Sequence, residues 1–145
     1  MDTKQYLSQI SRYDKLIKNK LSEISQFRDL ACSVSSVTNT ERVNCTPDFD
    51  KLGAIYCKIE KMETQLDKFI DFYVDKKNLI ISQIESMENE TYFEVLFAKY
   101  IEKKTFEDIA SEMKYSWRQI IRIHGRALQE FERLYGNLYK NKKMS

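Results

Sequence analysis

Apolar residues recur every three or four positions through most of the chain, and the places where that rhythm fails mark the expected element ends. Over residues 4–34 the series Tyr6, Ile10, Tyr13, Ile17, Leu21, Ile24, Phe27, Ala31 and Val34 predicts one long helix. Lys4, Arg12, Lys15, Lys18, Lys20 and Arg28 fall mostly on its other faces. A helix of that length would extend roughly 45 Å at 1.5 Å per residue. It has too few apolar neighbours of its own to stand alone, so it needs a partner. Residues 35–49, rich in Ser, Thr and Asn and containing Pro47, predict a polar loop. Asp48 or Asp50 can start a second helix, along which Leu52, Ile55, Ile59, Met62, Leu66, Phe69 and Tyr73 alternate steps of three and four. That is a heptad seam over three repeats. Lys76 interrupts it, and Ile80, Ile84 and Met87 resume it. An antiparallel hairpin is the simplest arrangement of the two helices. A homodimeric coil is the competitor, and the sequence leaves both open.

Asn89, Glu90 and Thr91 break the rhythm again, and Tyr92, Val95, Leu96, Lys99, Tyr100 and Ile101 mark a shorter helix. The stretch that follows, TFEDIASEMKYSWRQIIRIHGRAL from Thr105 to Leu128, carries two helix starts close together. Thr105 with Asp108, and Ser116 with Gln119, both have the capping-box spacing. A first helix of about nine residues and a turn at Lys114 and Tyr115 fit between them. Phe106, Ile109, Ala110 and Met113 share one face of the first helix, as do Ile120, Ile123, Ala127 and Leu128 of the second. Ala110 falls where two crossing helices come closest. The last helix is expected to run on through Phe131, Leu134, Tyr135 and Leu138, with the final NKKMS frayed. The fold class is therefore all-α, with a helical extension over 1–90 and a helix-turn-helix head over 91–145.

With those apolar positions turned inward, the outer face of the second helix holds Trp117, Arg118, Ile121, Arg122, Gly125 and Arg126, behind the Ser116 cap. Three arginines at spacings of four make a stripe about two turns long, the reach of a DNA major groove. Arginine forks to guanine edges or to phosphates, and Trp117 in the first turn can pack on a thymine methyl or on the sugar-phosphate wall. These seven residues, Ser116 included, are the expected contacts to double-stranded DNA.

Charge sharpens that picture. The formal net charge is only +2, but residues 1–90 carry 13 Lys+Arg against 15 Asp+Glu, whereas residues 91–145 carry 11 against 7. From Lys114 onward the count is 8 against 2. Positive charge gathers on the second helix and the tail, as a nucleic-acid contact face requires. Only 3 glycines and 1 proline, with 32% charged residues, favour helix throughout. No apolar run approaches eighteen residues and the start is not signal-like, so neither a membrane span nor export is expected. Cytoplasmic placement follows, and with it a reduced state for Cys32, Cys45 and Cys57, whose odd number and wide spacing do not suit a disulfide framework. Asn44 opens a nominal N-C-T glycosylation acceptor, which is discounted without secretion.

Catalytic chemistry is not in evidence. His124 is the one histidine, and it reads as a groove-side or partly packed polar residue. Scattered cysteines do not make a zinc site. Glu60, Glu63, Asp67, Asp71 and Asp75 alternate with Lys58, Lys61 and Lys68 as the solvated flank of a coil. Gly53, Gly125 and Gly136 stand alone, so no phosphate loop is present. No enzyme activity, metal or cofactor is expected.

The stretch VLFAKYIEKKTFEDIASEMKYSWRQIIRIHGRALQEF resembles region 4 of bacterial sigma factors. Lys99-Tyr100 closes a helix, Asp108-Ile109-Ala110 stands in the next, and Ala127-Leu128 closes the Ser116-capped recognition helix. The whole chain, including D-K-L-G at Asp50 to Gly53, is similar to small phage and prophage proteins with such a head behind a helical extension. The resemblance implies binding to a promoter element and contact with the host RNA polymerase. Carried over by position, base-facing roles fall on Trp117, Arg118, Ile121 and Arg122, with Arg126 nearer the backbone. Sigma recognition helices are usually more polar where Trp117 and Ile121 stand, which implies a target other than the standard −35 sequence. Nothing in residues 1–90 resembles a promoter-melting region, so the expectation is an accessory or late-gene regulator. The alternatives are a DNA-packaging component resembling a small terminase subunit, and a helical adaptor that binds polymerase as a protein.

Overall fold

A computed structural model describes the backbone of residues 1–40 and 49–140, and side chains over 1–34 and 50–140. Every regular element among them is helical, so the protein is all-α. Helix α1 spans Thr3–Thr40, α2 Phe49–Glu85 and α3 Glu90–Leu96, with a π-helical turn Phe97–Ile101 continuing α3. Helix α4 spans Phe106–Met113 and α5 Trp117–Lys140. None of the described helices is long and apolar enough to cross a membrane.

Helix α1 overruns the expected loop start at residue 35 and continues through Thr40. Its last stretch, SSVTNT, has low helix propensity but neither Gly nor Pro. Once a long helix is nucleated, each added residue costs little, so weak formers are carried along. The rest of the expected loop, with Pro47, Asp48, the N-C-T acceptor at Asn44 and Cys45, lies outside the described residues, as does the expected frayed tail.

Packing divides the chain into two compact units, Asp14–Phe72 and the pair of segments Met1–Tyr13 with Tyr73–Ser145. The division expected at residue 90 follows a helix end; the packing instead gathers both the first turns of α1 and the last turns of α2 with the C-terminal helices.

In the Asp14–Phe72 unit, Ile24, Ala31, Ile55, Ile59, Met62 and Leu66 form the core, flanked by Ile17, Phe27, Val34, Leu52 and Ile70. The two helical segments run in opposite directions. Phe27 lies under the Lys58 ammonium at 4.6 Å, while Leu16 and Phe69 line a common groove. Arg28 pairs with Glu63 across the seam. Leu21, placed on the seam by its spacing, is 52% exposed. An α-helix drifts by about 20° per heptad against a 3.5-residue repeat, which carries that position off the contact line.

In the other unit, Tyr6 is the hub. Its ring stacks on Tyr139 at 4.5 Å and tilts against Phe131 at 6.1 Å, and its hydroxyl donates to Gln83 Oε1 at 2.8 Å. Buried Thr3 and Tyr139 share a hydroxyl hydrogen bond of 2.7 Å. Lys76, the break in the α2 seam, sets its ammonium 5.2 Å from the Tyr6 ring centre. The long lysine stem can lie along apolar surface while its charge meets the ring face. Asn89 caps α3 by accepting from the Thr91 and Tyr92 amides at 3.0 and 3.3 Å.

Candidate functional site

The helical pair α4–α5 is set by local chemistry at both joints. Thr105 Oγ1 accepts the Asp108 amide at 3.2 Å and starts α4. At the other end Lys114 adopts a left-handed conformation, φ 59°, and the Tyr115 amide reaches back to the Ala110 carbonyl at 3.0 Å. This wrap satisfies a carbonyl that the helix end would leave unpaired. Ser116 then starts α5 with both halves of the capping box: Ser116 Oγ accepts the Gln119 amide at 3.2 Å, and Gln119 Oε1 accepts the Ser116 amide at 2.9 Å. At Thr105 only the first half is present. Lys103 also adopts a left-handed conformation, φ 58°, and beside it Lys104 is gripped by Glu102 at 2.6 Å and Glu112 at 2.7 Å.

The inward faces meet in a core of Val95, Ala98, Ile109, Ala110 and Ile120, with Phe106, Met113 and Ile123 against it. Ala110 is 7% exposed. Ala110→Leu should overpack this position, lowering stability by about 1–3 kcal/mol. Chemical denaturation checks it: a variant as stable as the parent would place Ala110 outside the core.

His124 belongs to that inner face, the packed one of its two expected placements. It is 7% exposed, with its Nε2 2.8 Å from the Tyr100 hydroxyl and its ring 4.9 Å from that of Phe106 in an edge-on contact. Lys99 lies over the far ring, 4.2 Å from the Phe106 centre. Burial, with the charges of Lys4 and Lys99 adding to it, lowers the imidazole pKa to about 4. Burial likewise pushes the Tyr100 phenol up to about 12, helped by Asp2. Both groups are therefore neutral at pH 7 and form a neutral hydrogen bond that ties α5 to the π-helical turn. The signal for this was the spacing itself, since His124 follows Ile120 by four residues and precedes Ala127 by three.

With the inner face occupied, the sequence-selected residues are brought together on the outside. Ser116, Arg118, Arg122, Gly125 and Arg126 are exposed, Trp117 is 52% exposed, and Ile121 is half-buried. Behind the Ser116 cap, the other six form two adjacent rows at four-residue steps. One row is Arg118, Arg122 and Arg126; the other is Trp117, Ile121 and Gly125. Among the described residues none of the three arginines makes an ion pair or hydrogen bond. Arg28 and Arg133, by contrast, are each held by a glutamate, Arg133 by Glu130 at 2.5 Å. Exposed Gln129 continues the second row by one more step, a position the sequence reading did not single out. The arrangement offers three guanidinium forks to an anionic or base-edge partner along one side of a rigid helix.

No group of three or more His, Cys, Asp or Glu side chains among the described residues is placed to hold a metal ion. Cys32 and Cys57 are free and exposed. No family model matches the chain, and no curated protein or solved structure matches it.

Proposed function

We propose that this chain binds double-stranded DNA through the outer face of α5 and acts as a sequence-specific transcriptional regulator. The observation that carries the reading is the row Arg118, Arg122 and Arg126: exposed, free of acidic partners among the described residues, and mounted on a capped helix. Guanidinium groups left uncompensated on a rigid element are suited to phosphates and guanine edges. Helices α4 and α5 then play the first and second helices of a helix-turn-helix. The resemblance to sigma region 4 supports a regulator of a phage or prophage, working with host RNA polymerase.

The experiment is a titration of duplex at several salt concentrations. Arg122 stands in the second turn of α5 and Arg126 a turn farther on, where the helix leaves a groove. Arg122→Ala should cost about 1–3 kcal/mol on a selected site and less on random duplex. Arg126→Ala should weaken both alike and flatten the salt dependence by about one ion. Equal losses on both duplexes for Arg122→Ala would make it a phosphate contact; no loss from either variant would remove the DNA-binding reading.

A second reading, an adaptor that binds proteins through the α1–α2 unit, is favoured by the exposure of Leu16, Leu21, Leu30, Tyr56 and Phe72. The same surface suits a homodimer, which would present two heads to two half-sites. Salt-independent failure to bind any duplex, with retained binding to polymerase, would favour the adaptor.

A further inference from the structure

Beside the arginine row of α5 runs a second row with different chemistry. Trp117, Ile121 and Gly125 follow one another at single-turn steps, and their bulk falls from an indole to a sec-butyl group to a bare hydrogen. Trp117 is 52% exposed and Ile121 half-buried, so the row is an apolar edge open to a partner. A large exposed aromatic beside three unpaired arginines is not needed by the fold, because the inner face is already filled by Ile120, His124, Ala127 and Phe131. Gly125 points the same way. It sits inside a helix, where glycine is less favourable than alanine, and a Cβ added to it would meet nothing within 4 Å. Nothing in the protein asks for the missing side chain there, whereas a partner approaching the helix closely would.

Resting on the DNA-binding reading above, we propose that Trp117 and Ile121 read the C5 methyl groups of thymines, with Gly125 admitting the groove edge to the helix surface, so that the target carries neighbouring thymines. In the major groove the thymine methyl is the one apolar group a base pair presents, and apolar side chains are its natural contacts. Successive residues of the row are about 6 Å apart along the helix axis. Base pairs rise by about 3.4 Å. Trp117 and Ile121 therefore meet methyls within about two base steps of each other, while the arginine row takes the adjoining guanines or phosphates.

The test uses the full chain. Duplexes are selected from a random pool, and each thymidine of the selected site is replaced in turn by deoxyuridine, which removes only the methyl. Replacement at two nearby positions should weaken binding by about four-fold each, the effect of losing one buried methyl. Trp117→Ala should abolish the deoxyuridine effect at one of these positions, and Ile121→Ala at the other, with helicity unchanged as the control. A selected site that binds equally well with deoxyuridine throughout overturns the methyl reading and leaves the arginine row standing. An unchanged deoxyuridine effect in both variants overturns the assignment to this row. Absence of any duplex binding removes the DNA-binding reading itself, so the two failures are distinguishable.

Discussion

Replacing Phe131 by alanine is expected to lower stability by about 3–5 kcal/mol, the cost of emptying a fully buried aromatic site. Phe131 is 0% exposed and is the largest side chain so enclosed in the described structure. Its ring lies 5.2 Å from that of Tyr135 and 6.1 Å from that of Tyr6. The contact with Tyr6 makes the consequence spread. Tyr6 stacks on Tyr139, and Tyr139 holds Thr3, so the cavity would sit where the first turns of α1 meet the far half of α5. Denaturant titration measures the loss. Amide exchange should show protection falling over residues 3–10 as well as around position 131. A loss below about 1 kcal/mol would mean that the neighbouring rings close the gap, and this anchor would not be the one that fixes α5.

That anchor shows where the sequence was legible and where it was not. The caps of α4 and α5 could be read because capping needs only residues three apart, and both Thr105 and Ser116 accept the amides that the spacing assigned to them. The inner faces of α4 and α5 could be read for the same reason: Ile109, Ala110, Ile120 and Ala127 obey a local period and are buried. The outer face then followed by subtraction, and Arg118, Arg122 and Arg126 are exposed as the subtraction required.

What escaped are the pairings between distant residues. Thr3 and Tyr139 are 136 positions apart, and Tyr6 and Gln83 are 77 apart; nothing in a helical period says which far-off helix an N-terminal tyrosine will meet. The division of the chain therefore moved, since Met1–Tyr13 and the end of α2 pack with the C-terminal helices. The π-helical turn also escaped. It inserts an extra residue into the backbone ladder, and Glu102 hydrogen-bonds to the Phe97 carbonyl five residues back at 3.1 Å. No residue type announces that insertion. It matters because Tyr100 lies in that turn and reaches His124. For His124 the residue type left two placements open, groove-side or partly packed, and its position in the period, four after Ile120 and three before Ala127, is what favours the packed one that is observed.

Acid should act on the protein through that same histidine. Its folded pKa is about 4 against an ordinary 6.5, so the unfolded chain binds a proton that the folded chain refuses. A group depressed in this way contributes its full stability above pH 6.5 and loses it as the pH falls toward 4. Between roughly pH 7.5 and 5 the loss should be about 2 kcal/mol. The chain has a single histidine, and ordinary carboxylates titrate mostly below that window, so the slope there belongs chiefly to His124. Its physical source is the cost of charging a ring enclosed beside Phe106, with the positive charges of Lys4 and Lys99 opposing the proton. Denaturation at a series of pH values measures the slope, and His124→Gln, which keeps hydrogen-bonding capacity toward Tyr100 but does not titrate, should flatten it. The imidazole resonance gives an independent reading: it should titrate near 4, whereas a midpoint near 6.5 would mean that His124 is solvated and that its bond to Tyr100 does not hold α5 in place.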